Sequence, residues 1–149
     1  MNLAIRPMAA ADAGRVAALT TQLGYESTTE QIARRFAAIA TRSENASHDV
    51  VLVADDRAGL GVVGWIHAHG VAILEGEPAV EIVGLVVDEA CRGGGVGRML
   101  LIAAEDWARE RGYARMRVRS RIARERAHRF YHREGYETIK TSYTLEKEL

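Results

Sequence analysis

Residues 81–112 constrain the fold most. They read EIVGLVVDEACRGGGVGRMLLIAAEDWARERG. Residues 82–87 are continuously apolar and rich in β-branched side chains, which predicts a short buried strand. Two acids follow, Asp88 and Glu89, and then a basic glycine loop, Arg92-Gly93-Gly94-Gly95-Val96-Gly97. Beyond it Val96, Met99, Leu100, Ala103, Ala104 and Trp107 recur at helical spacing, and Gly112 stands where a helix would stop. The layout is strand, glycine loop, helix. A helix N-terminus offers unpaired N–H groups and the positive end of its dipole. Glycines let the backbone come close to a ligand and add further N–H donors. Such a loop suits a phosphate or pyrophosphate; the other reading is a tight turn that only reverses the chain.

Two common phosphate motifs fail here. A P-loop ends in Gly-Lys-Ser/Thr, whereas this loop ends Gly97-Arg98-Met99. The dinucleotide fingerprint needs a glycine at its sixth position, and counting from Gly93 that position is Arg98. The pattern that fits is Arg-x-x-Gly-x-Gly, met by Arg92, Gly95 and Gly97.

With 149 residues the chain is expected to form one domain, 1–149, with an adequate core. Its 20 basic and 20 acidic side chains balance, which argues against a general nucleic-acid binder. Cys91 is the one cysteine, so no intrachain disulfide can form. Nothing resembles a signal peptide, and no apolar run reaches the ~18 residues of a membrane span. A soluble cytoplasmic protein without nucleic-acid or membrane partners is expected.

In chain order, residues 3–6 alternate and end at Pro7, a first strand. Residues 10–23 predict a helix with Ala13, Val16, Ala17, Thr20 and Leu23 inward, stopped by Gly24. A second helix starts at Thr29 and buries Ile32, Phe36 and Ile39; residues 43–48 read as a polar loop. Strands at 50–54 and 61–69, and a turn around Gly76-Glu77-Pro78, lead to the strand 82–87 as a β-meander. Period two puts Ile82, Gly84 and Val86 on one face and Val83, Leu85 and Val87 on the other. A glycine inside such a strand, here Gly84, marks a bulge or a close ligand approach. His67 and His69 share a face and read as sheet positions, substrate contacts or metal ligands, with no carboxylate or cysteine pattern beside them. Residues 116–120 form the next strand. There Arg115, Arg117 and Arg119 alternate with Met116 and Val118, a face turned to phosphates or to acids. Residues 124–134 predict a helix closed by Gly135, and residues 138–145 a final strand.

Residues 127–136 read AHRFYHREGY. Taken with the strand 81–87 and the loop 92–97, this segment resembles the GNAT family of N-acetyltransferases, whose motif there is Ala-x-x-Phe-Tyr-x-x-x-Gly-Phe/Tyr. The resemblance extends over nearly the whole chain. It implies an α/β (α+β) fold, a mixed and mostly antiparallel central sheet with a splayed strand pair and about four flanking helices. It implies acetyl-CoA as co-substrate, no metal, and a primary amine attacking directly in a ternary complex. By the same resemblance Arg92, Gly93, Gly94, Gly95, Val96, Gly97 and Arg98 hold the pyrophosphate. Leu85, Val86 and Val87 then pair with the pantetheine arm like an added strand. Tyr131 corresponds to the tyrosine that protonates the departing thiolate, its other reading being a core aromatic beside Phe130. Glu81, which opens the Glu-Ile-Val run, corresponds to a base for the amine, its other reading being an exposed strand-end acid. Tyr25 and Glu26 fall on the acceptor side or on a plain interhelical loop, and Glu75 and Glu77 could form an acidic entrance. Three residues before the motif alanine the family often has asparagine, and this chain has Arg124. His128 reads as a helix-packing residue and Cys91 as no nucleophile. A homodimer is plausible by the same resemblance. The alternative is a CoA-binding regulatory protein without transferase activity. The acceptor stays open.

Overall fold

The computed structural model describes residues 1–46 and 48–149, with the side chains of residues 43–46 outside that description. The chain forms two compact units, Met1–Arg119 and Ser120–Leu149.

In the first unit β1 (Leu3–Pro7) leads through a single 3-10 turn, Ala10–Asp12, into α1 (Ala13–Leu23). Gly24, at φ 111°, ends α1 in the left-handed region. Then come α2 (Thr29–Ala46), β2 (Asp49–Asp56), β3 (Gly61–Ile73), β4 (Gly76–Val87), α3 (Val96–Glu110) and β5 (Met116–Val118). The sheet runs in the order β1-β2-β3-β4-β5. The first four strands are antiparallel neighbours, and β5 lies parallel to β4. This is the mixed, mostly antiparallel sheet expected from the sequence.

Each face of the sheet is covered because each helix carries one apolar stripe. On one face Val16 and Leu19 of α1 and Ile32 of α2 pack with Val53 and Val86, and with the half-buried Trp65 and Phe36. On the other, Leu100, Leu101, Ala104 and Ala108 of α3 are buried, and Ala108 joins Ala68 and Val80 beside Trp107 and Tyr113. Removing a fully buried Leu such as Leu100 from water contributes about 1.5–3 kcal/mol.

Several boundaries differ from the sequence reading; β3, for one, runs on from residue 69 to Ile73. The polar loop expected from residue 43 is helix through Ala46; its polar residues suit an exposed helix end as well as a loop, and Ser47 lies outside the described residues. The hairpin turns at Leu74 and Glu75, and Gly76 already pairs with Ile73, so Gly76-Glu77-Pro78 belongs to β4. Pro78 falls in the irregular stretch of the register opposite Val71–Ile73, where a residue without an N–H is tolerated. β5 stops at Val118. Residues 138–145 form no strand. Their alternation supplies propensity, but a strand needs a hydrogen-bonded neighbour, and Ile139, Tyr143 and Leu145 are exposed.

The second unit holds α4 (Glu125–Arg133), closed by Gly135 at φ 95°. The Tyr131 ring meets Phe130 and Tyr136 edge-on, with centroids 5.1 and 5.6 Å away.

Candidate functional site

The site is built on a break in the β3–β4 ladder. Ile82 faces Ala68 and Gly84 faces His67, so Val83 is an extra residue with no partner on β3. This is a β-bulge. It corrects the face assignment made from period two alone. Ala68 and His67 point to opposite faces, so Ile82 and Gly84 do as well; beyond the bulge Gly84 and Val86 share the face of His67 and Trp65. Gly84 is needed because the Trp65 indole lies against it: a Cβ there would sit 2.5 Å from Trp65 Cη2. The indole Nε1 is buried with no hydrogen-bond partner.

β5 pairs with β4 only at Val80, Glu81 and Ile82. From residue 83 to 87 the same edge of β4 has no strand partner among the described residues, which is the opening expected of a splayed pair. Leu85, Val86 and Val87 lie along it, Val86 buried and the other two half-buried. An open strand edge presents N–H and C=O groups ready for an extended ligand.

The glycine loop begins where β4 ends. Asp88 accepts a hydrogen bond from the Ala90 amide at 3.1 Å and pairs with Arg15 at 2.9 Å. These contacts, the amide first, hold its carboxyl below the usual carboxylate range. Arg92 Nε donates to the Val87 carbonyl at 3.3 Å, tying loop to strand. Gly93 and Gly95 have φ of 84° and 81°, and nothing lies within 4 Å of a Cβ placed on either. Left-handed backbone and open space together expose the loop amides. Gly95 caps α3, whose ladder begins with Met99 N–H donating to Gly95 at 3.0 Å, so the amides of Val96 and Gly97 precede it. Val96 is buried and anchors the turn, while Gly94 and Arg98 are exposed. This cradle fits an anionic phosphate group.

Glu81 stands at the other end of the opening, opposite His69 on β3 and Arg117 on β5. Its Oε1 lies 3.0 Å from Arg119 Nε, so within the arginine face Arg119 meets an acid. His67 and His69 do share a face, with ring centroids 6.1 Å apart. The residues that sequence reasoning missed are Asp49 and Arg42. Asp49 Oδ1 lies 3.0 Å from His67 Nε2, and Arg42 grips both carboxylate oxygens at 2.9 and 2.6 Å. Only the β2–β3 register, which sets Asp49 opposite His69, brings this acid to the histidines. Burial pushes the His67 imidazole down from its ordinary value, against the opposing pull of Asp49. Burial works to raise Asp49, but the hydrogen bonds from Arg42 and His67 outweigh it and hold the carboxyl low.

Tyr131 belongs to the second unit. Burial raises its phenol to about 12, opposed weakly by Arg124. His128 Nε2 donates to the Arg121 carbonyl at 2.9 Å, a packing role. Cys91 is buried; Tyr25, Glu26, Glu75 and Glu77 are exposed. Among the described residues no group of three or more His, Cys, Asp and Glu is arranged to hold a metal, and no helix is long and apolar enough to cross a membrane.

Comparison with known proteins gives a consistent picture. The sequence profile of the acetyltransferase (GNAT) family matches residues 16–136. An uncharacterized N-acetyltransferase of Bacillus subtilis, YhdJ, is 41% identical over 68 residues; the match spans 46% of this chain and 44% of that relative, less than half its length. The crystal structure of the tetramutant of the BH1408 protein of Bacillus halodurans superposes with a TM-score of 0.78 at 27% identity, covering 97% of this chain and 99% of that one. Glucosamine-6-phosphate N-acetyltransferase of Arabidopsis thaliana shares the fold at a TM-score of 0.79 and 20% identity, covering 99% of each.

Proposed function

Since the chain belongs to the acetyltransferase (GNAT) family, we propose that it moves an acetyl group from acetyl-CoA to a primary amine by direct attack in a ternary complex. The observation that carries this reading is the unpaired edge of β4 at residues 83–87, leading into the glycine-capped start of α3. An extended thiol arm can add to the edge at Leu85, Val86 and Val87. Its pyrophosphate then meets the amides of residues 92–98, with Arg92 and Arg98 supplying positive charge. Residues 1–149 act as one catalytic domain.

Two residues assist the proton steps. Glu81 draws the acceptor ammonium to the start of the opening and assists its deprotonation. The freed amine attacks the thioester carbon; the C–N bond forms and the C–S bond breaks. Tyr131, a phenol raised to about 12 and so protonated throughout the neutral range, gives its proton to the departing thiolate and regains one from the amide nitrogen.

Calorimetric titration tests the reading first. Acetyl-CoA should bind, with ATP and NAD silent as controls. Thiol release over a panel of primary amines should then fall in Tyr131→Phe and Glu81→Gln. Absence of acetyl-CoA binding overturns the proposal. Tight binding with no turnover on any amine, unchanged by Tyr131→Phe, assigns the chain to CoA-dependent regulation instead.

A further inference from the structure

On the α1/α2 face of the sheet, β3 presents Trp65, His67 and His69 in line, opposite Val86, Gly84 and Glu81 of β4. His67 therefore stands across from the residue next to the bulge, and its neighbour His69 across from Glu81. The Asp49 carboxylate can only accept, so the 3.0 Å contact assigns a proton to His67 Nε2. Neutral imidazole then carries a bare lone pair on Nδ1. Asp49 is 3% exposed and His67 17%. The two-oxygen grip of Arg42 from α2 keeps Asp49 anionic and fixed. A cleft of about 200 Å³ lies alongside, lined by Arg42, His48, Asp49, His69 and Gly70. The charged and titratable groups about His67 are thus Arg42 from α2, Asp49 from β2, His69 from β3 and, beside His69, Glu81 from β4.

Acetylation of an ammonium releases one proton overall: two leave nitrogen and one returns to sulfur. Glu81 already holds a cation, Arg119, so its part is to draw the ammonium in, and the released proton needs a further acceptor. We propose that His67, oriented by Asp49, accepts it from the acceptor amine. The inference rests on the amine acetyltransferase reading above. In the step, the ammonium proton passes to His67 Nδ1 and the nitrogen lone pair becomes free to attack. The imidazolium is stabilised by Asp49 until it yields its proton to solvent. The second nitrogen proton goes to the thiolate through Tyr131. The low proton affinity imposed by burial keeps His67 in its accepting form at neutral pH.

The test pairs spectroscopy with kinetics on the full chain saturated with acetyl-CoA. Nitrogen-15 spectra should show neutral His67 protonated on Nε2, titrating below 6.5. Asp49→Asn should weaken that tautomer preference. Thiol release is followed with the best amine of the panel. His67→Gln keeps a side-chain N–H for Asp49 and removes the base; kcat should fall about 10²-fold or more, with KM and acetyl-CoA affinity nearly unchanged. The acid limb of kcat/KM should vanish in His67→Gln and persist in Glu81→Gln. Full kcat in His67→Gln, a fall accompanied by lost thermal stability with the acid limb intact, or a neutral His67 protonated on Nδ1 each overturns the proposal and leaves a structural brace. Failure of the unaltered protein to release thiol with any amine overturns the acetyltransferase reading and this inference with it.

Discussion

The two units are fixed in different ways. Every buried hydrophobic residue among those described, from Met8 to Ala108, belongs to Met1–Arg119. Side chains such as Leu19, Ile66 and Leu100 have no exposed surface there, and close packing of that kind holds backbone to a fraction of an ångström. Ser120–Leu149 has no buried residue in its helix and orders Tyr131 through edge-on contacts with Phe130 and Tyr136. The difference suits the roles proposed for them. A cofactor arm read by main-chain amides needs an accurate backbone, which a packed core supplies. A proton donor needs one side chain in a dry setting, and a small aromatic group is enough.

The contrast can be tested by substitution. Tyr131→Phe keeps the aromatic contacts and removes the hydroxyl, so kcat should drop about 10²–10³-fold while the melting temperature and acetyl-CoA affinity hold. In the unaltered protein the phenol should cause no alkaline loss of kcat below pH 10, since it titrates near 12. Within the first unit, Gly64→Ala would set a Cβ 2.9 Å from the Val86 carbonyl and 3.1 Å from Leu100. It should destabilise by about 1–3 kcal/mol, read by denaturant midpoint. Gly95→Ala forces a side chain into φ 81° at a cost of about 1–2 kcal/mol; calorimetry should show weaker acetyl-CoA binding with little change in kcat at saturation. A smaller effect comes from His67. Its folded-state value lies below the ordinary 6.5, so below that pH the unfolded chain binds more protons and stability falls with acidification. His67→Gln should flatten that slope in urea titrations between pH 7 and 5. Smallest of all, Tyr143→Ser at an exposed position of the second unit should change stability by less than about 0.5 kcal/mol.

Much of the first unit was legible because short-range rules govern it. Periodicity marked the buried stripe of α3, and Gly24, Gly95 and Gly112 fell where left-handed backbone ends or begins an element. The glycine loop was legible for the same reason: its φ values are a local demand. What escaped depends on neighbours distant in sequence. Gly84 hinted at a bulge, but its placement at Val83, with the reversal of Ile82 against Gly84, follows from the β3 register. Asp49 and His67 meet 18 residues apart through the β2–β3 pairing, which no spacing rule encodes. Residues 138–145 show the opposite failure: alternation was present, but they form no strand, because alternation supplies propensity and not a pairing partner.

One consequence of Gly84 is optical. The chain has two tryptophans, and Trp107 stacks on Tyr113 at 6.3 Å on the far side of the sheet. Trp65 instead rests on the bare backbone of β4 beside the bulge, with its N–H withheld from any partner. Its emission is therefore a gauge of that strand: a change in the β4 backbone at Gly84 alters the surface the indole rests on. With Trp107 replaced by phenylalanine, the protein would report by its own fluorescence whether the opening in its sheet is empty or filled.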